Sequence, residues 1–117
     1  MKSISEQISE KQNYLLSKSD CLYPDELSRI GMELAVLLTN VGMEESERDV
    51  KCNKRLKEIM VEDISVNKAE AIMKSEEVYL NYRQVKAVRV SLEETIKMIK
   101  VRIRALSNEE KITSNIL

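Results

Sequence analysis

The sequence predicts an all-α protein. The expected architecture is a long antiparallel two-helix hairpin of coiled-coil type with a short N-terminal helix, assembling into a helical-bundle oligomer. Three observations carry that prediction. Gly occurs twice and Pro once in 117 residues, which leaves almost no turn punctuation for a many-stranded fold. Phe, Trp and His are absent and the four aromatics are all Tyr, so the apolar repertoire is Ile, Leu, Val, Met and Ala, suited to thin helix-to-helix seams. Finally, Val78, Tyr82, Val85, Leu92, Ile96, Ile99, Ile103 and Leu106 recur at spacings of three and four, with Arg89 the one polar place in the row. That is the period of a helix packed along its length against another.

The elements follow in order. Residues 3–17 read as a short helix: Ser3 and Glu6 stand in capping-box spacing, and Ile4, Ile8 and Leu15 share a face that Lys11 interrupts. A helix this short is marginal alone and needs a surface to dock on. After a connection, Pro24 suits a first helical position, and Asp25 and Glu26 complement the positive end of the helix dipole. The helix expected over 24–62 carries the apolar row Leu27, Leu34, Leu38, Val41, Cys52, Leu56 and Ile59, with Gly31, Glu45 and Arg48 in intervening places. Gly42 and the polar run after it are its weak point. Around 63–66 the chain reads as a turn, with Asp63 or Ser65 as N-cap of a second long helix over 66–106. Ser107 and Asn108 offer a stop, and 108–117 reads as a flexible tail. The whole is expected to be one domain.

A short turn makes the two long helices antiparallel neighbours. Centred near Ser65, it sets facing positions to sum to about 130, as in Leu27 with Ile103, Gly31 with Ile99, Leu38 with Leu92 and Cys52 with Val78. Near the turn the match degrades, because Arg55 and Ser75 fall in seam places. Glu45, Arg48, Tyr82 and Arg89 make the middle of the seam polar. Two readings are open there: a buried Glu45–Arg89 ion pair that sets register, or long side chains reaching to solvent at the seam edge.

Each long helix also carries a second apolar row. It comprises Val36, Met43, Val50 and Ile64 on the first, with Lys57 interrupting, and Met73, Leu80, Ala87 and Val101 on the second, with Glu94 interrupting. A lone two-helix seam is thin, so these residues are expected to form an oligomer interface.

Charge nearly cancels, to a formal −1, so any nucleic-acid role must come from local segregation. Arg83, Lys86, Lys97, Lys100 and Arg104 lie in one row beside the seam, a spacing suited to tracking phosphates. The competing explanation is pairing within the chain, since 22–50 is acidic and the register lays it against this stretch. Cys21 and Cys52 are too few for a disulfide framework or, without His, a zinc site, and are expected as free thiols in a cytoplasmic protein. No window is apolar enough for a membrane span, and the first residues lack the core of an export signal. With no Gly-rich phosphate loop, His-based metal motif or nucleophile beside a base, the expectation is a non-enzymatic protein without cofactor. Its partners would be itself, another protein or nucleic acid.

The run DISVNKAEAIMKSEEVYLNYRQVKAVRVSLEETIKMIKVRIRAL at 63–106 resembles the second half of small helical-hairpin proteins of phages and prophages. The turn DISVNKAEA, the Tyr-bearing EEVYLNY and the terminal IKVRIRALS carry the likeness. Such proteins are often encoded among single-strand annealing and replication genes. The resemblance implies an accessory factor for DNA recombination or replication in a host cytoplasm, and transfers no catalytic residue. Inhibition of a host enzyme or defence protein is the remaining alternative.

Overall fold

In the computed structural model the chain is described over residues 2–18, 22–61 and 63–116, with side chains described to Glu109. Four helices and no strand occur among the described residues: α1 (Ile4–Lys18), α2 (Pro24–Met60), α3 (Val66–Lys74) and α4 (Glu77–Ile116). Two compact units are distinguished. The first is Met1–Thr39 with Val90–Leu117, and the second is Asn40–Arg89, so α2 and α4 each run through both.

α1 begins as its capping spacing predicts, with Ser3 Oγ accepting the Glu6 N–H at 3.1 Å. In the first unit it docks on α2 and α4. Ile8 is buried, the Gln12 side chain donates to Ser91 and Thr95 hydroxyls at 3.1 Å each, and Lys11 pairs with Glu33. Lys11, which interrupts the apolar row of α1, is thus an anchor of that docking. The unit's core contains Leu27, Ile30, Leu34, Leu37, Leu92 and Ile99. A Cβ built on Gly31 would lie 3.5 Å from Ile99 Cγ2, so α2 and α4 pack at a pair that sums to 130, as expected.

α2 runs unbroken through Gly42, and a Cβ there would meet nothing within 4 Å. The predicted end at Glu62 lies outside the described residues, as does Cys21. Asp63 adopts a left-handed φ of 57°, a conformation that Asp tolerates better than most side chains. Ser65 then caps α3, accepting the Lys68 N–H at 3.3 Å.

The second long helix departs from expectation in two ways. First, it breaks at Ser75 and Glu76. The Ser75 hydroxyl donates to the Ile72 carbonyl at 2.6 Å and its N–H to the same oxygen at 3.1 Å, closing α3. Serine competes for its own backbone in this way, which makes it a poor helix-interior residue. α4 restarts with the Glu76 carbonyl accepting from Tyr79 and Leu80. Second, α4 continues past Ser107 and Asn108 to Ile116, beyond the stop expected at 106. Neither residue forbids helix, because their propensity cost is a fraction of a kcal/mol.

Because α3 is separate, Met73 turns inward. It packs in the second unit's core with Cys52, Ile59 and Ala69, against which Leu56, Ile64, Ile72, Val78, Tyr79 and Tyr82 are layered. Met73 is therefore a core residue, and Ile64 is half-buried against the same core, so neither forms part of an outer row. Within this unit Glu45 meets Arg89, Cys52 meets Val78 and Arg55 meets Glu76, so the partner number falls as the α2 number rises.

Candidate functional site

In the second unit the polar seam residues divide. Glu45 and Arg89 form an ion pair, as the first reading expected, but with side chains 16% and 27% exposed neither is buried, so the outcome lies between the two readings. Arg48 turns instead to Glu44 on its own helix at 3.6 Å. Tyr82 lies against Tyr79, ring centroids 6.1 Å apart, with the Lys86 ammonium 6.0 Å from its centroid. The four residues do not form one site.

A stronger arrangement that sequence reasoning missed joins Arg55 to Glu76. The guanidinium donates from Nε to Oε1 at 2.7 Å and from Nη2 to Oε2 at 2.9 Å, and also reaches Glu58 at 3.4 Å. The hydrogen bonds that Arg55 donates hold the Glu76 carboxyl below its ordinary range, and the same bonds raise Arg55. Its signal in the sequence was polarity in two adjoining seam places. In the first unit the hydrogen bond from Lys11 likewise lowers the Glu33 carboxyl, with Arg29 adding to it at 2.9 Å.

The outer apolar rows, Ile64 and Met73 apart, face outward. Met43 and Val50 of the second unit are 62% and 65% exposed, and Leu80 and Ala87 are exposed as well. In the first unit Val36 and Val101 are each 64% exposed.

The basic residues are also exposed. Arg83 and Lys86 belong to the second unit; Lys97, Lys100 and Arg104 belong to the first. Lys97 pairs with Glu94 on its own helix at 3.3 Å. Among the described residues no ion pair joins Arg83, Lys86, Lys100 or Arg104 to the acidic stretch of α2. Of that acidic stretch, Glu45 does pair with the basic stretch of α4, through Arg89, while Glu33 pairs with Lys11 of α1.

Cys52 is a free, buried thiol that donates to the Val78 carbonyl at 3.5 Å. Burial first, and the charge of Asp49 second, push it above its ordinary value, which suits packing and not nucleophilic attack. Among the described residues no group of His, Cys, Asp and Glu is placed to hold a metal ion, and no helix is long and apolar enough to cross a membrane. Comparison of the chain with family models, with curated proteins and with solved structures finds no match.

Proposed function

We propose that this chain is a non-enzymatic helical interaction protein. Its long helices form an antiparallel coiled-coil hairpin, and copies of that hairpin associate through its outer faces. The observation that carries the reading is the row Val36, Met43 and Val50 on α2, spaced by seven and close to two thirds exposed. Heptad-spaced apolar side chains on a helix are the pattern of a surface that meets another helix, and large exposed apolar rows mark interaction surfaces. Light scattering on the purified protein is the test. A mass above that of one chain, which falls when Met43 and Val50 are both replaced by Lys, supports it; a strictly monomeric mass at high micromolar concentration overturns it.

A second reading is direct contact with nucleic acid through Arg83, Lys86, Lys97, Lys100 and Arg104. It is favoured by the exposure of all five side chains. It fits the resemblance to phage accessory proteins of DNA recombination or replication. A mobility shift that weakens steeply with salt and is lost in Lys97→Glu/Lys100→Glu supports it. No shift at low salt defeats it.

A further inference from the structure

We propose that two copies of this chain pair through the outer face of α2 in the second unit, antiparallel and about a two-fold axis. Met43 of each copy then lies on Met60 of the other, and Glu47 of each on Lys54 of the other. This pairing rests on the self-association proposed above and adds its face, direction and register.

Met43, Ser46, Val50, Asn53, Lys57 and Met60 recur on α2 at alternating steps of three and four, the spacing of a second heptad seam. All six are exposed, on the far side of the helix from the buried Val41, Cys52 and Ile59. One flank of the row carries Glu47 and Lys54, which are exposed too. Neither makes an ion pair among the described residues, although Glu44, Glu45, Arg55 and Glu58 around them do.

In an antiparallel two-fold pair, flank residues on the same side of the seam face each other across it, and their charges choose direction and register. With Met43 on Met60, Val50 faces Asn53 of the second copy. The Lys57 stem then crosses the small Ser46, so its ammonium reaches solvent. Glu47 meets Lys54, and symmetry makes that contact twice. Sliding the copies by one heptad in either direction sets Glu47 against Glu47 or Lys54 against Lys54. A parallel in-register pair sets Lys57 against Lys57 inside the seam. The face is thus complementary to a second copy of itself in one direction and one register.

Light scattering over a concentration series at low ionic strength, where exposed ion pairs are least screened, tests this on the intact chain. Glu47→Lys and Lys54→Glu should each raise the dimer dissociation constant by about tenfold or more, because each turns two attractions into two repulsions. An equimolar mixture of the two variants should recover the dimer, since each copy then offers the charge the other lacks. Glu47→Lys/Lys54→Glu on one chain should recover it as well. Circular dichroism should show unchanged helix in all three variants, whose substitutions are on the surface. Unaltered dissociation constants in the single variants, or no recovery on mixing, overturn the pairing while self-association stands. A monomeric unaltered chain overturns both.

Discussion

Arg55 grips both oxygens of the Glu76 carboxylate, at 2.7 and 2.9 Å, at the point where α3 has ended and α4 begins. Glu76 also supplies the first carbonyl of α4, so the pair ties the start of that helix to a fixed place on α2. A bidentate Arg–carboxylate contact is directional in a way that apolar packing is not. It sets where α4 starts, and the positive end of the α4 dipole favours the same carboxylate charge.

A pH dependence follows. The Glu76 and Glu33 carboxyls are held below their ordinary value, so the folded state binds protons less readily than the unfolded one. Their contribution is complete above the ordinary carboxylate value of about 4.3 and is lost as pH falls towards the depressed folded values. Thermal melts should show stability declining below about pH 4.3, with a shallower decline in Glu76→Gln. Both pairs are partly exposed, so added salt should reduce the difference. Melts whose acid slope is the same with and without Glu76 would contradict this.

The two glycines predict stabilising substitutions. Gly42→Ala meets open space, and Gly31→Ala places a methyl at ordinary contact distance, 3.5 Å, from Ile99. Each should gain about 0.5–1 kcal/mol by removing a helix-interior glycine. Urea denaturation midpoints should rise for both. Gly31→Leu, which forces a larger side chain against Ile99, should lower the midpoint.

At the link into α3, Ser65→Ala should cost about 1 kcal/mol, because it removes the acceptor of the Lys68 N–H. Asp63→Val should also destabilise, since a β-branched residue fits the left-handed φ of 57° poorly. Asp63→Gly should be neutral or gain up to about 1 kcal/mol. The same denaturation series ranks all three, and a stabilising Asp63→Val would show that this backbone conformation is not held in solution.

Cys52 should resist modification. In a Cys21→Ser background at pH 8, a thiol reagent should label the native protein at least about tenfold more slowly than the protein in denaturant, because the buried thiol is kept protonated. Equal rates would show that the core around Cys52, Ile59 and Met73 is open.

The seam was readable because burial along a packed helix repeats with the helix period. Leu27, Leu34, Val41, Cys52, Ile59, Leu92 and Ile99 are all buried where the row put them. Ile30 and Leu37, also buried, lie beside that row on the flank of Glu33, where Lys11 anchors α1. That flank depends on where a separate helix docks, which local spacing does not encode. The break at Ser75 was not legible either. Its serine was visible as a flaw in the seam, but spacing does not say whether such a residue stays an exposed polar place or, as here, ends the helix by bonding the Ile72 carbonyl, and the Arg55–Glu76 contact beside it joins residues distant in sequence. Of the candidate surfaces, the exposed basic and apolar side chains of α2 and α4 were legible from periodicity, apart from Met73.

The packing of α2 against α4 in one register is most directly tested by cysteine cross-linking in a Cys21→Ser/Cys52→Ala background. Leu38→Cys with Leu92→Cys, which sum to 130, should form an intramolecular disulfide rapidly under mild oxidation. Leu38→Cys with Ile99→Cys, one heptad away, should not. Circular dichroism should confirm that both variants remain helical. Efficient closure of the second pair and failure of the first would contradict the register and the packing built on it.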